Sequence, residues 1–538
     1  MGNIMHDKAV QAQLCYDDLC NRLGVNPDAD IVFNVSDNQE KLIKKACFSH
    51  NPFPGVLKIV LLSLRNKAVK RLFMEEKVLQ TGPAAAILAL DEALAADIGA
   101  YRNGTKSTEP VVCDVGFAGL QVIRLYMSAY DGNKEFVKSR YDSAIRVDNA
   151  LNGSFYKYET KDGRFFSAHV YYESQKRKIM KTLGIAKNPD KFVFGSLSGD
   201  KKLTAKAVKQ WEALKLEEQT FADGACGCML RTREEWESTE VGQAVCNMPL
   251  YRLVKNGDAP VKQFGQTDSS KGPLSGIKVL DLTHIIAGPA CTRLLAEAGA
   301  DVLMIRRGDY LHQEQAMLEL DGWAGKNSIQ LDFNVAEQLN RAKELVRQAD
   351  VIVCSYQSGA LDRFGLSEKD IHELNPGVIY GQMMCFSDTV WKERPGWAPC
   401  AEDITGLSVR NGSLENPVNL NGVPLDYIPG MIMCAGIMEA LKKQMTEGGS
   451  YTLYGSLTRG GHWLHECTDL WEANRTASNK SRVANNMQVA QWEQVFHKVP
   501  GTAVGDVYFA APATSCGSQD YRFKNMEFTD GNKGFKGE

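Results

Sequence analysis

IKVLDLTHIIAGPACTRLLAEAGADVLMI, residues 277–305, is the stretch whose reading decides the fold. Ile277–Leu282 is a β-branched, apolar run of the kind found in strands buried on both faces of a parallel sheet. Thr283–Gly288 is a turn, and Pro289 fits the first turn of a helix, where its missing N–H costs nothing. Leu294, Leu295 and Ala298 continue the helical face, Gly299 supplies a left-handed cap, and Asp301–Ile305 is a second strand.

The pattern repeats downstream. Val335–Gln348 is amphipathic at helical spacing, Asp350–Cys354 (DVIVC) is a strand, Ser367 caps a short helix ending at Leu374, and Val378–Gln382 is another strand. Strands alternating with helices over short connections predict an α/β fold with a Rossmann-like parallel sheet, accompanied by a smaller α+β domain. Such a sheet binds ligands beyond the carboxyl ends of its strands, so the Thr-His-Ile-Ile-Ala-Gly-Pro turn is the first candidate site. It lacks the G-x-G-x-x-G spacing that lets a backbone approach a pyrophosphate, which disfavours a nicotinamide or flavin cofactor.

Asn256–Gly276, rich in Gly, Pro, Ser and Asp, divides the chain into halves at 1–255 and 277–538. The halves echo each other. Gly430–Leu441 (GMIMCAGIMEAL) is a small-residue helix followed by a glycine turn and a strand, and Gly82–Leu94 (GPAAAILALDEAL) precedes Val111–Val115 in the same manner. This suggests a diverged duplication.

Composition excludes more than it identifies. With 62 Lys and Arg against 65 Asp and Glu, the net charge of −3 gives no pull toward nucleic acid or an anionic membrane. No apolar run is long enough to cross a bilayer. The first residues lack a secretory pattern and the last three, Lys-Gly-Glu, are not a peroxisomal signal, so a cytoplasmic protein is expected. The 14 cysteines read as buried thiols in a reducing compartment. Cys226-Gly-Cys228 is spaced too closely for a zinc knuckle, and His462, His465 and Cys467 lack a fourth ligand, so no metal is predicted.

Residues 273–309 resemble the opening of the class III CoA-transferases. The resemblance continues through Lys326–Asp332, Ala349–Val353, Ser358–Leu366, Leu374–Tyr380 and Leu425–Gly430, in family order, to about residue 465. Asp162–His169, Leu230–Trp236 and Gly257–Pro260 resemble the family's small domain more faintly. The resemblance implies a longer, fused member acting as an acyl-CoA:carboxylate CoA-transferase. Its substrates would be acyl-CoA and a carboxylic acid, with no permanently bound cofactor. Asp426 matches the family's catalytic aspartate, four residues before Gly430, and the equivalent position of the first half is Val78, which cannot act as a nucleophile. One active site per chain is therefore expected.

By the same resemblance, Ile285, Ile286, Ala287, Arg307, Leu331, Tyr356, Arg363 and Phe364 contact CoA. The segment Gly381–Asp388 departs from the family's glycine-rich pattern, and no His lies between Arg394 and Asp426, which removes the base a racemase requires. A non-catalytic CoA-binding scaffold, and an isomerase or lyase using the same Asp426, are the competing readings. The family's interleaved dimers leave monomer and homodimer both open. For Asp426 itself the alternative role is capping of the helix it begins.

Overall fold

A computed structural model describes residues 2–35, 39–49, 67–127, 129–132, 157–169, 173–185, 199–306, 320–475, 484–485, 495–502, 505–517, 521–526 and 534–535. Arg307 and the terminal Lys536–Glu538 lie outside the described residues.

In the first half, α1 (Gly2–Leu23) leads to β1 (Ile31–Val35), α2 (Thr81–Arg102), β2 (Val111–Asp114) and α3 (Val115–Val122). A small antiparallel sheet follows, made of β3 (Lys157–Glu159), β4 (Phe165–Ala168) and β5 (Gly227–Met229). The half closes with β6 (Tyr251–Gly257). In the second half, β7 (Lys278–Leu282), α4 (Ala287–Glu297), β8 (Asp301–Arg306) and β9 (Asn327–Gln330) come first. Then come α5 (Ala336–Gln348), β10 (Val351–Cys354), α6 (Glu368–Leu374), β11 (Ile379–Met384) and α7 (Ala398–Ile404). The helix α8 (Pro424–Glu447) leads into β12 (Ser450–Ser456) and α9 (Leu457–Asn474).

The large sheet runs β9-β8-β7-β10-β11-β12-β6. Its first six strands are parallel and β6 joins antiparallel to β12. The strand order therefore reverses between β7 and β10, the arrangement in which a crevice opens beyond the carboxyl ends of those two strands. Side chains alternate across the sheet: Val351, Val353 and Ile379 join the core formed with α4 and α8, whereas Ile352, Cys354 and Tyr380 join the core under α5 and α6.

A fully buried ion pair fixes the centre of this sheet. Lys326 Nζ donates to Asp281 Oδ2 (2.7 Å), to Thr292 Oγ1 (2.6 Å) and to the Pro289 carbonyl (3.1 Å). Asp281 also accepts from the Thr283 N–H (2.9 Å) and hydroxyl (2.5 Å). Burial favours the neutral form of both partners, but Lys326 and the hydroxyls hold the Asp281 carboxyl below the usual carboxylate range. One carboxylate thereby joins β7, the turn, α4 and the segment before β9.

The boundary at 256–276 has no helix or strand between Gly257 and Lys278, yet the sheets cross it. β6 belongs to the large sheet of the second half, and Thr514–Cys516 pairs with β2 in the first half, beside β1 and Ala484–Asn485. Four helices pack in the order α1, α2, α8, α4. Glycine sets two of these contacts. A Cβ on Gly82 would come within 2.8 Å of Gln11 on α1, and one on Gly430 would overlap the Ala287 carbonyl of α4. Both small-residue helices also lead to a strand whose last residue caps the next helix: Asp114 accepts from the Phe117 N–H (2.9 Å) and Ser456 from the Arg459 N–H (3.1 Å).

Lys326→Met leaves Asp281 charged and unpaired in the core. The expected loss is about 3–5 kcal/mol, read as a lowered midpoint in thermal or urea unfolding. The double variant Lys326→Met with Asp281→Leu should recover part of that loss.

Candidate active site

The turn after β7 sits at the reversal point of the sheet. Ile285 has φ of 69°, a left-handed conformation that a β-branched residue adopts only at a cost of about 1–3 kcal/mol. Gly288 allows α4 to start hard against the strand end, since a Cβ there would lie 2.6 Å from the Thr283 side chain. The turn is tied to β10 by the His284 N–H, which donates to Ser355 Oγ (3.0 Å). The His284 ring stacks on Tyr356 at 4.6 Å, and its burial pushes its pKa down to about 4, so the imidazole is neutral at pH 7.

Asp426 approaches this turn from the other side. It lies in the first turn of α8, one turn before Gly430, whose close approach to Ala287 seats α8 on the start of α4. The first half holds the chain leading into α8: the Asn421 N–H donates to Gln80 Oε1 (3.1 Å) and the Val423 N–H to the Val122 carbonyl (3.2 Å). Val423 is the residue before the helix and no side chain caps it. Asp426 is thus not a cap, and among the described residues its carboxylate accepts no hydrogen bond.

An acid in the first turn of a helix gains about 0.3–2 kcal/mol from the helix dipole, whereas an unpaired buried carboxylate loses several. Desolvation wins. Burial, with the negative charge of Asp321 nearby, pushes the Asp426 pKa up to about 7. Asp321 is itself held by the Tyr427 hydroxyl, which donates to it at 3.0 Å, and by Arg124 of the first half, at 3.6 Å. Burial raises the thiol pKa of Cys385, just beyond β11, and the nearby Asp426 charge adds to that.

A cleft of about 980 Å³ opens on the α6 side of the sheet, lined by Cys354 at the end of β10 and Tyr356 just after it, by Gln382 and Met384 of β11, and by Arg252 and Tyr454 at the far edge. Of the residues expected to contact CoA, Tyr356 lines this cleft. Arg363 and Phe364 lie in the short helical turn that begins at Asp362, another lining residue, with the Arg363 guanidinium 4.5 Å from the Phe364 ring centre. Leu331 is buried in the apolar cluster against which Tyr356 and Phe364 pack. Ile285, Ile286 and Ala287 form the turn at the reversal point and belong to the opposite core. Asp426 does not line the cleft. Its neighbours Leu425 and Tyr427 belong to the core on the other face of the sheet, as does Cys385 just after β11, whereas Met384 lines the cleft.

Sequence reasoning missed His284, Asp321, Tyr427 and Cys385. His284 and Tyr427 adjoin residues singled out by pattern, and that adjacency was the available signal. Asp321 comes near Asp426 only through the tertiary fold.

A doubly wound parallel sheet with a buried, unpaired carboxyl beside its reversal point defines an α/β architecture with a candidate ligand site. Residues 274–512 match the model of CoA-transferase family III. Through that segment the chain belongs to this family. An acyl-CoA transferase of Gibberella moniliformis is 30% identical over 381 residues, covering 66% of this chain and 66% of that protein. An acetyl-coenzyme A transferase of Hypoxylon pulicicidum is 28% identical over 362 residues, covering 62% of this chain and 59% of its own length. The chain thus spans about three-fifths to two-thirds of these curated relatives. A solved CAIB/BAIF family protein from Brucella suis is 23% identical with a TM-score of 0.35, covering 44% of this chain and 65% of that one.

A carboxyl whose pKa is raised on folding is a stability cost wherever the unfolded chain would ionise it. Below the ordinary pKa of 3.8 both states are protonated and the cost vanishes; it grows between 3.8 and about 7 and is complete above that. Asp426→Asn should therefore stabilise the fold at pH 8, by up to roughly 4 kcal/mol, and the gain should disappear at pH 4. Thermal unfolding at both pH values checks this.

Proposed function

We propose that this chain transfers CoA between an acyl thioester and a carboxylic acid, with Asp426 as the nucleophile. The observation that carries the reading is the Asp426 carboxylate: buried, without a hydrogen-bonding partner among the described residues, and seated where the helix α8 meets the strand-end turn. An ion pair or a capped helix would account for a structural acid. Neither engages this one, and a poorly solvated carboxylate is a stronger nucleophile than a hydrated one.

The steps balance as follows. Ionised Asp426 attacks the thioester carbonyl, forming an acyl-aspartyl anhydride and expelling CoA thiolate. The thiolate attacks the aspartyl carbonyl, giving an aspartyl-CoA thioester and releasing the first carboxylate. The incoming carboxylate attacks that thioester, forming a second anhydride and again freeing the thiolate. Attack of the thiolate on the acyl carbonyl releases the new acyl-CoA and restores Asp426. No net proton is consumed. The positive end of the α8 dipole lies beside each developing oxyanion.

In this reading CoA lies across the strand ends. Its nucleotide portion occupies the cleft beside Tyr356, with Arg363 and Phe364 at the rim, and the pantetheine arm passes the Ile285–Ala287 turn to reach Asp426. Residues 1–255 are a diverged copy of the second half, supported by the matched order of helix, strand and capped helix in α2–β2–α3 and α8–β12–α9. The counterpart of Asp426 is Val78, wholly buried, so the first half serves as scaffold and the chain has one site.

Incubation with acyl-CoA and hydroxylamine should convert Asp426 to a hydroxamate, located by mass spectrometry of the peptide. Asp426→Asn should abolish that product and lower acyl exchange, across a panel of CoA thioesters and carboxylic acids, by about 10⁴-fold or more. Undiminished exchange in the variant would sink the mechanism. Since only the ionised carboxylate attacks, kcat/KM should rise with pH through an inflection near 7. Asp321→Asn, which removes the neighbouring negative charge, should move that inflection to lower pH.

A further inference from the structure

Away from Asp426, three ligand-type side chains converge in the core between the two halves. The ligand atoms of His169, Cys228 and Cys400 all lie within 4.8 Å of one another. The Cys400 thiol is also within hydrogen-bonding reach of Cys226 and Cys385. His169, Cys226, Cys228 and Cys400 are each wholly buried. Among the described residues, neither ring nitrogen of His169 has a hydrogen-bond partner. A buried polar group left unengaged costs about 1–3 kcal/mol, so an imidazole held this way among thiols needs a physical reason.

The backbone explains how the group assembles. His169 directly follows β4, and its N–H donates to the Cys226 carbonyl (2.9 Å), continuing the register in which Ala168 faces Gly227 and Ser167 faces Cys228. Cross-strand partners share a face of an antiparallel sheet, and so do residues two apart on one strand. His169, Cys226 and Cys228 therefore point the same way. Gly227 points the other way, where a Cβ would lie 2.5 Å from the Phe166 ring. The single-residue spacing that argues against a zinc knuckle is the spacing that brings two thiols together on a strand. Cys400 comes from α7 in the second half, which packs on β5.

We infer that His169, Cys226, Cys228 and Cys400 form a closed structural site for a soft, tetrahedral divalent cation of the zinc type. Three sulfurs and one imidazole match that chemistry and exclude the hard, oxygen-seeking cations. Ideal Zn–S and Zn–N bonds of about 2.3 and 2.0 Å place neighbouring ligand atoms about 3.5–3.8 Å apart, so His169, Cys228 and Cys400 need only a modest contraction, and Cys226, within reach of Cys400, would swing in as the fourth ligand. On binding, each thiol releases its proton to solvent and becomes a thiolate, while His169 coordinates as the neutral ring. The ion would staple the β3–β5 sheet to α7, adjoining Cys385 and so the wall of the Asp426 site. A second group, Glu237, Cys246 and His462, is a natural control: it is less buried, and His462 already has Cys246 and two carboxylates beside it.

The test is metal analysis of the full chain, purified reduced and without chelators or metal-affinity resin. About one zinc per chain is expected, retained in Cys246→Ser and mostly lost in Cys400→Ser and His169→Ala. Because those variants remove buried groups and can misfold, the unmodified chain carries an independent readout. Cobalt(II) added to the reduced, chelator-stripped protein should produce thiolate-to-cobalt charge-transfer bands and the visible spectrum of a tetrahedral ion. The inference is overturned by an isolated protein without zinc that gives no such spectrum, by zinc content unchanged in Cys400→Ser, or by a Cys228–Cys400 disulfide in protein alkylated at lysis.

Discussion

Everything at the centre of this molecule depends on one buried carboxylate, Asp281, being fully occupied. It takes Lys326, two threonine hydroxyls and a backbone N–H, and so binds a central strand of the large sheet, the turn after it, the next helix and the approach to an outer strand. A charge pair in so dry a place is stable only when its remaining hydrogen-bonding positions are filled. Here they are, which lets the backbone at Ile285 hold an unfavourable conformation without relaxing. The strained turn is supported from beneath, and it sits at the reversal point where ligands meet such sheets.

Asp426 is the counterpart of that arrangement. The two acids lie on elements that meet at the same turn, yet one is saturated with donors and the other has none among the described residues. Their pKa values move in opposite directions for this reason: partners lower the first, and burial together with Asp321 raises the second. One carboxyl is thus satisfied and the other, on an element that meets the same turn, is not, the kind of contrast in environment that marks a candidate site. The first half contributes to the unsatisfied one through Gln80, Val122 and Arg124, which position the loop, the helix start and the adjacent Asp321.

The sheet was legible because parallel strands buried on both faces write continuous apolar runs, and because Pro289, Gly299 and Ser367 punctuate the helices where the structure starts and stops them. The turn at 283–288 was legible as a place, but the positive φ of Ile285 was not, since nothing local favours it. Asp426 was found through resemblance rather than through spacing, for an aspartate in a first helical turn ordinarily reads as a cap. Asp321 and Arg124 were invisible because 197 positions separate them. The meeting of His169, Cys228 and Cys400 was invisible for a similar reason. Ligand spacings along a chain describe knuckles, whereas a strand face and a distant helix can build a cluster that no linear pattern records.

The two halves exchange their outermost strands. Tyr251–Gly257 joins the large sheet before the rest of that sheet has been made, and Thr514–Cys516 completes the first half's sheet about 400 residues after its neighbour β2. On the ribosome, the first half therefore emerges with an open edge that only the last part of the chain closes. Pairings this distant are slow to form and leave strand edges exposed meanwhile. Synthesis order thus makes the protein's early life its most aggregation-prone stage, and the two halves mature together rather than one after the other.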